Sequence, residues 1–367
     1  MGRPKVAVVL DGVARDGDSR WLLDTLRYMD RDRYRVHVVS LHTPDTDVAI
    51  DVQKMAVPVH SLDLPEEGAR WTVAGTFTLF NLFRKMVPRL VHTVGERADA
   101  TARIAARFTG VQRVATTLRG PRRTPGVRAL LTRATAHMTD VVVVPTRALA
   151  TEAVDRWGVH PQRVRVVPPG VDLGRVTGAK PADDMAGEGP LVVACARMDD
   201  DKGIDTLIDA TAILLRYRPG LRVVVAGTGV TGIGYIRRAQ RLGIDDRVLI
   251  PGARRDVPEL LSAADVFVHP ARRDGLPLAL LEAMAAGVPC VATSLPSITE
   301  HLQDDVHALL CAADQPAFLA DRIDQLLGDE GRARRIAGGG RALVQERFSP
   351  AVSSAAVQDL WDLLLAT

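Results

Sequence analysis

The chain has 367 residues, of which 47% are hydrophobic and 25% are charged, and its net charge is +3. This composition is that of a folded globular protein and excludes a disordered chain. The length exceeds what one hydrophobic core usually serves and predicts two domains, while the small net charge gives no support to nucleic-acid binding.

Short β-branched segments alternate with helical patterns along the whole chain. The predicted strands lie at 5–10, 35–41, 89–94, 113–118 and 141–145 in the first half, and at 191–196, 221–227, 247–252, 266–270 and 290–293 in the second. Continuously apolar strands separated by helices indicate parallel sheets that are covered on both faces. Two sets of five such units predict an α/β fold with two doubly wound, Rossmann-like domains rather than one closed barrel.

The domain boundary is expected within 166–190, where four prolines and five glycines interrupt any periodicity and indicate a linker. The expected domains are 1–172 and 173–349. Ser349 followed by an amphipathic pattern predicts a terminal helix at 350–367, which is expected to pack back on the first domain.

The first residues, the apolar segments and the cysteines of the sequence indicate the cellular compartment. The chain enters a predicted strand at once, and no apolar window is long enough to cross a membrane. Cys195, Cys290 and Cys311 are widely spaced in apolar surroundings and indicate buried thiols in a reducing compartment. We therefore expect a cytoplasmic protein.

Two segments of the first domain raise the question of peripheral contact with the inner face of a membrane. Residues 101–150 contain nine arginines against one acid, Asp140, which creates a local positive field or a set of scattered solvated side chains. The segment 77–90 places an apolar stripe beside Arg84 and Lys85. The stripe could touch a membrane, but a helix packed on the neighbouring strands is the favoured interpretation.

Candidate binding residues in the first domain follow its predicted strands, because ligands of open parallel sheets bind at the carboxyl ends of the strands. Gly12 and Gly17 lie in a flexible loop between the first strand and the first helix, although their spacing fits no P-loop. His92 and Arg119 lie at the ends of two further strands. A lone histidine is more often structural than catalytic, and a structural role for His92 stays open.

The second domain contains more candidate binding residues than the first. Arg197 leaves a strand and Lys202 lies at the start of the next helix, which together with free amides suits a diphosphate. A G-x-G-x-x-G match begins at Gly227, but the acidic residue expected after the next strand is missing, so NAD binding is rejected. Asp274 and Glu282 flank a Gly-Leu-Pro turn, and carboxylates of this kind accept hydrogen bonds from vicinal hydroxyls of a sugar or a ribose.

Together these residues resemble the retaining GT-B glycosyltransferases of glycosyltransferase family 4. The similarity runs almost end to end and is strongest in "RVRVVPPGVD", "ARMDDDKGIDTLIDA", "VAGTG", "RVLIPGARRDVPELLSAADVFVHPARRDGLPLALLEAMAAGVPCVAT" and "ITEHL". The resemblance implies two Rossmann-like domains that face each other across a cleft, with the nucleotide-sugar on the second and most of the acceptor site on the first.

The resemblance also implies site residues, position by position. Arg197 and Lys202 would hold the donor diphosphate, Asp274 would bind the donor sugar, and Glu282 would bind the ribose; these four are the candidate catalytic residues. Further donor-binding positions are Gly12, Gly17, Gly227, Arg254, Gly275, Leu276, Pro277 and Leu278. His92 and Arg119 are expected on the acceptor or sugar side.

The implied reaction moves a hexose-type sugar from a nucleotide-sugar, with UDP ahead of GDP, to an acceptor hydroxyl with retained anomeric configuration. No metal and no cofactor are expected, the acceptor is a glycan, a lipid-linked glycan or a small molecule, and the expected context is envelope glycan, glycolipid or polysaccharide synthesis. The alternatives are a nonhydrolysing nucleotide-sugar 2-epimerase, whose acid and base motifs are not found, and a non-catalytic nucleotide-sugar-binding homologue.

The sequence departs from the family pattern at several positions. Asp274 stands where glutamate is usual, Arg119 where histidine is usual and Pro169 where asparagine is usual. Pro296 and Ser297 stand where two glycines are usual, and Pro296 has no N–H to donate. We interpret these departures as changes in specificity.

Overall fold

The chain divides into two compact units, and the second is inserted into the first. The structure is a computed structural model and describes residues 2–65, 70–121 and 127–366. The first unit comprises Met1–Gly170 and Pro350–Thr367, and the second comprises Val171–Ser349. The boundary between residues 170 and 171 compares with the expected boundary between 172 and 173.

The first unit is an α/β structure built on a parallel sheet. Its elements are, in chain order, β1 (Lys5–Leu10), α1 (Gly17–Tyr28), β2 (Arg35–Ser40), α2 (Thr46–Lys54), β3 (Val59–Ser61), α3 (Arg70–Met86), β4 (Leu90–Val94), α4 (Glu96–Thr109), β5 (Arg113–Thr117), α5 (Val127–Thr135), β6 (Val141–Val144), α6 (Arg147–Trp157) and β7 (Val164–Val166). In the described residues seven strands pair in the order β3-β2-β1-β4-β5-β6-β7. The strand order therefore reverses direction between β1 and β4.

The second unit repeats this architecture. Its elements are α7 (Leu173–Val176), β8 (Leu191–Cys195), α8 (Ile204–Leu214), β9 (Arg222–Ala226), α9 (Gly232–Leu242), β10 (Val248–Gly252), α10 (Val257–Ser262), β11 (Val266–His269), α11 (Leu278–Ala286), β12 (Cys290–Thr293), α12 (Pro296–Thr299), β13 (Leu309–Cys311), α13 (Pro316–Gly328) and α14 (Glu330–Arg347). Six strands of this region pair in parallel in the order β10-β9-β8-β11-β12-β13, with the reversal between β8 and β11.

The ten predicted strands are all present, and the α/β class with two Rossmann-like domains is confirmed. The described residues contain three further strands, β3, β7 and β13, which the sequence did not predict. Each has three residues and lies at an edge of its sheet. An edge strand has one neighbour and needs no long apolar run, so its sequence carries a weak signal.

The segment expected to be a linker, 166–190, contains the boundary between the two units, but from Val171 onwards it is an ordered part of the second unit. Within 166–190 the chain forms α7, and its backbone is tied to α10 through the bond from the Ala182 N–H to the Glu259 carbonyl, at 3.1 Å. Ser262 Oγ also donates to the Ala179 carbonyl at 2.7 Å. Its prolines and glycines therefore mark an irregular path over a packed surface, and not a free connection.

The final helix, α15 (Pro350–Ala366), returns to the first unit and packs against α1. Ser354 Oγ donates to the Thr25 carbonyl at 2.9 Å, and the Tyr34 hydroxyl donates to the Gln358 carbonyl at 3.0 Å. Trp361 is 1% exposed and meets the Tyr34 ring edge-on, with ring centroids 5.3 Å apart. The helix is thus an integral layer of the first unit.

The apolar stripe at 77–90 forms part of α3, as the packing interpretation predicted. Leu79, Phe83 and Met86 belong to the core beneath the helix, while Phe77 on the opposite side is 65% exposed. Across the described ranges, none of the helices combines the length and apolarity needed to cross a bilayer.

Candidate active site

The strongest cluster of predicted site residues lies at the carboxyl edge of the second sheet. Lys202 follows β8 and Asp274 follows β11, and these two strands are neighbours. The reversal of strand order between them opens a crevice at their carboxyl ends, which is the usual ligand-binding position in open α/β sheets. The topology therefore brings together two residues that are separated by 72 positions.

Lys202 and Asp274 form an ion pair in this crevice. Lys202 Nζ lies 2.6 Å from Asp274 Oδ2, and both side chains are 15% exposed. The Gly275 N–H donates to Asp274 Oδ1 at 2.9 Å, so the second carboxylate oxygen is also engaged. The Asp274 side chain is therefore held close to the strand end.

His269, the last residue of β11, belongs to the same cluster and was not predicted from the sequence. It is 3% exposed, and its Nε2 lies 3.2 Å from Asp274 Oδ2. Burial would raise the pKa of Asp274, but Lys202 and His269 outweigh burial and hold that pKa below its ordinary value. Asp274 is consequently an ionised carboxylate.

Arg197 lies five residues before Lys202 in the sequence, but its side chain is much more exposed than that of Lys202. Its side chain is 64% exposed, and its Nε donates to Asp199 Oδ2 at 2.6 Å. Lys202 itself is the last residue of a short 3-10 turn and is followed by Gly203, whose φ of +63° places it in the left-handed region. The backbone thus turns sharply just before α8 and leaves the N-terminal amides of that helix at the crevice edge.

Glu282 lies one turn into α11 and is 8% exposed. Its Oε1 accepts a hydrogen bond from Arg175, whose side chain is 20% exposed. Arg175 lies on α7, which packs against α11. No sequence pattern indicates this pairing, because Arg175 lies in the segment interpreted as a linker.

Arg254 follows β10 and has its charge matched within the protein. Its Nη1 lies 2.6 Å from Asp184 Oδ2, and its Nε donates to Asp256 Oδ1 at 2.9 Å. Hydrogen bonds to Asp184 and Asp256 raise the pKa of the Arg254 guanidinium above its usual value.

Burial, with Glu282 nearby, raises the pKa of the Cys195 thiol to about 12, so Cys195 is a protonated thiol and not a nucleophile.

The glycines of the second unit have a packing explanation. Gly227 has a φ of +145°, and a Cβ there would lie 1.9 Å from the Ala196 carbonyl oxygen. The loops after β8 and β9 therefore approach within backbone contact, which accounts for the glycine pattern without a dinucleotide.

The turn before α11 contributes backbone to the crevice edge. Gly275, Leu276, Pro277 and Leu278 are all buried, so the side chains of this turn fill the interior. Ser297 Oγ donates to the Asp274 carbonyl at 2.9 Å and ties α12 to the same turn. Pro296 is the first residue of α12, where the absence of an N–H costs no helical hydrogen bond.

In the first unit the loop after β1 is fixed by polar contacts. Asp16 caps α1 by accepting from the Ser19 N–H at 2.9 Å, and burial together with Asp18 raises the pKa of Asp16 to about 6. Arg119, at the end of β5, lies 2.9 Å from Asp18 and beside Gly17. Arg119, Gly17 and Gly12 thus lie in one region at the carboxyl edge of the first sheet.

His92 does not lie on an accessible acceptor side, and that expectation is corrected. It is fully buried, and its Nδ1 accepts from Trp361 Nε1 at 2.9 Å. Because the indole only donates, Nε2 carries the proton and donates to Thr117 Oγ1 at 2.7 Å. Burial lowers the pKa of His92 to about 3, so His92 is a neutral side chain that fixes α15.

The arginine-rich segment does not form one continuous surface. Arg103 is 2% exposed and lies 3.7 Å from Asp99 inside the first unit. Arg122 and Arg123 lie outside the described residues, and the side chain of Arg128 is not described. The segment therefore combines at least one buried structural arginine with exposed positions such as Arg107.

Sequence comparison matches both units to glycosyltransferase families. The model "Glycosyl transferases group 1" matches residues 180–342, and "Glycosyltransferase Family 4" matches residues 15–175. A D-inositol 3-phosphate glycosyltransferase of Xylanimonas cellulosilytica is 34% identical over 241 residues, which are 60% of this chain and 56% of that protein. One of Salinispora tropica is 33% identical over 243 residues, 60% of this chain and 50% of that protein. The matches thus span about half the length of these relatives.

Structural comparison extends over nearly the whole chain. Anabaena HepE in complex with UDP and glucose has a TM-score of 0.83 at 20% identity, covering 98% of this chain and all of that chain. The sucrose-phosphate synthase of Thermosynechococcus elongatus has a TM-score of 0.83 at 18% identity, covering 99% of this chain and 100% of that chain.

Proposed function

Because this chain belongs to glycosyltransferase family 4 and has the GT-B fold, we propose that it transfers a hexose-type sugar from UDP-sugar or GDP-sugar to an acceptor hydroxyl. Retention of the anomeric configuration is part of the proposal. UDP is favoured, since HepE carries UDP and glucose in its solved complex.

The observation that carries the proposal is the meeting of Lys202 and Asp274 at the point where the strand order of the second sheet reverses, with Glu282 on the following helix. Lys202 and Arg197 bind the diphosphate, and their positive charge stabilises it as it leaves. Glu282 accepts hydrogen bonds from the ribose, and Asp274 faces the donor sugar. The proton of the acceptor hydroxyl passes to the departing phosphate oxygen on the same face of the sugar.

The two cations supply the charge that a metal ion provides in other transferases, and we therefore include metal independence in the proposal. Lys202 is the better placed of the two, because it is mostly buried and already positioned by Asp274. Asp274, shorter than the usual glutamate and held by Lys202 and Gly275, shifts the carboxylate away from the sugar. We expect this shift to select which hydroxyl of the donor is recognised.

On the acceptor side we propose a polyol or glycan that carries a negative charge close to Arg119. The guanidinium lies beside the loop that contains Gly17 and binds Asp18, a contact that an anionic acceptor group can replace. The named relatives are D-inositol 3-phosphate glycosyltransferases, which agrees with an acceptor of this type. An envelope glycan or glycolipid pathway in the cytoplasm is the proposed context.

Peripheral attachment to an anionic membrane surface is a further part of the proposal. On α3, Val73 is 76% and Phe77 is 65% exposed, and Arg84 and Lys85 follow on the same helix without any acidic residue. Exposed apolar side chains beside cations are typical of surfaces that insert shallowly into anionic bilayers.

The proposed function is tested by incubating the purified protein with a panel of UDP-sugars and GDP-sugars, with and without acceptors, and measuring released nucleoside diphosphate. Turnover only with an acceptor supports transfer. Interconversion of donor epimers without an acceptor would indicate an epimerase, and binding without turnover a non-catalytic homologue; either result refutes the proposal.

Site variants connect the activity to the crevice. Lys202→Ala and Glu282→Gln are each expected to lower kcat/KM at least about 100-fold, equivalent to about 3 kcal/mol of transition-state stabilisation. Lys180→Ala and Glu188→Gln change the same residue types at exposed positions of the second unit and serve as matched controls. Near-normal activity of both site variants would refute the site assignment.

A further inference from the structure

We infer that Arg175 is a positioning residue that orients Glu282 towards the nucleotide ribose and so sets the preference for ribonucleotides over 2′-deoxyribonucleotides. The inference rests on the proposed function and deepens it, because it assigns a task to a segment with no recognised role. Arg175 acts through Glu282 and is not itself proposed to touch the donor.

The first support is the rigidity of the element that carries Arg175. Val171, just before α7, is 1% exposed, and its N–H donates to the Phe348 carbonyl at 2.9 Å. Val176, the last residue of α7, is 2% exposed, and Thr177 Oγ1 donates to the Leu173 carbonyl at 2.7 Å. The guanidinium is therefore presented from a short helix anchored on both sides.

The second support is the geometry of the contact. The guanidinium donates to Oε1 of Glu282, and both side chains are largely buried, with 20% and 10% exposure. Across the described ranges, Oε2 of Glu282 accepts no hydrogen bond from the protein, which leaves it for a ligand. A carboxylate fixed at one oxygen presents the other in a defined direction, as recognition of vicinal hydroxyls requires.

The third support is that two other cations of the candidate site, Arg254 and Lys202, already form ion pairs with acidic residues. Arg254 is bound by Asp184 and Asp256, and its charge is matched by theirs. Lys202 is paired with Asp274. Among the residues that the structure describes, Arg175 is thus the cation in contact with Glu282, and a largely buried carboxylate needs such a partner.

The experiment measures nucleotide affinity by isothermal titration calorimetry, using UDP, GDP and ADP and their 2′-deoxy counterparts. The wild-type protein is expected to bind one ribonucleotide at least about tenfold more tightly than its 2′-deoxy form, because the missing hydroxyl leaves Oε2 of Glu282 without a hydrogen-bond donor. In Arg175→Gln the affinity for the ribonucleotide falls about tenfold and that for the 2′-deoxy form less than about twofold, so the preference disappears.

A merely structural role would weaken both nucleotides equally, and therefore the ratio of affinities is the decisive readout. Arg175→Lys keeps the charge but loses the planar donor group, and we expect its preference to be about threefold below that of wild type. This variant decides the matter if Arg175→Gln fails to fold, as judged by far-UV circular dichroism. Arg218→Gln, which breaks the pair between Arg218 in the turn after α8 and Asp324 on α13, is the matched control and should leave the ratio unchanged.

The outcomes separate the inference from the proposed function. A wild-type protein that binds none of these nucleotides refutes both. A wild-type protein that binds a ribonucleotide without preference, or a preference that persists in both Arg175 variants, refutes the inference alone. A ribonucleotide affinity that rises in Arg175→Gln also refutes it, because Arg175 would then compete with the ribose.

Discussion

Replacing Lys202 by methionine is expected to lower the free energy of unfolding of the ligand-free second unit by about 3 kcal/mol, because it leaves the Asp274 carboxylate in the crevice without its main counter-charge. At 2.6 Å and an effective dielectric constant of about 20, the attraction between the two charges is about 6 kcal/mol. Desolvation of two side chains that are each 15% exposed offsets roughly half of it.

A double-mutant cycle isolates the interaction between the two side chains. Asp274→Asn alone is expected to cost about 2 kcal/mol, and Lys202→Met with Asp274→Asn together to cost less than the sum by at least about 2 kcal/mol. The pKa of Asp274 lies below its ordinary value, so the ion pair contributes its full stability above about pH 4. That contribution is lost as the pH falls through the range in which folded Asp274 takes up its proton.

The two units provide an internal control for this measurement. All four tryptophans, at positions 21, 71, 157 and 361, belong to the first unit. Urea unfolding followed by tryptophan fluorescence therefore reports on the first unit, while far-UV circular dichroism reports on both. The substitutions at Lys202 and Asp274 should not move the transition seen by fluorescence. A coupling energy below about 0.5 kcal/mol between Lys202 and Asp274 would show that they behave like an exposed ion pair and would refute the reasoning.

Two further predictions concern the first unit. In wild type, burial holds the pKa of His92 at about 3, below the unfolded value of about 6.5. The free energy of unfolding is therefore greatest above pH 6.5 and falls by up to about 5 kcal/mol as the pH drops towards 3. His92→Phe should flatten this dependence when urea unfolding is followed by tryptophan fluorescence at several pH values, and an unchanged slope would contradict the prediction. The double variant Val73→Ser with Phe77→Ser should bind anionic liposomes at least about tenfold less than wild type in a flotation assay. The control Ile233→Ser, at a position 66% exposed on the second unit, should bind like wild type. Equal binding by wild type, the double variant and the control would refute membrane attachment through α3.

The sequence predicts the framework of this protein well because buried parallel strands leave a strong local signal. The predicted strands are rich in apolar and β-branched residues, and the polar side chains that follow β8 and β11 mark the candidate site. The three strands that were not predicted lie at sheet edges, where three residues are enough to pair with the single neighbouring strand.

The partners of the site residues escaped prediction because they are distant in sequence. Arg175 and Glu282 are 107 positions apart, and His92 and Trp361 are 269 positions apart. No local pattern marks such a pair, and a segment rich in glycine and proline conceals that α7 is packed. The fold decides these contacts through the position of α7 and α15, which periodicity alone does not give.

The return of α15 to the first unit has a consequence for how the protein is made. Trp361 and the rest of α15 leave the ribosome only after the whole of the second unit has been synthesised. Until then the first unit lacks the layer that covers His92 and Tyr34, and it exposes apolar surface while the second unit is already free to fold. Synthesis therefore completes the unit encoded first only after the unit that is inserted into it.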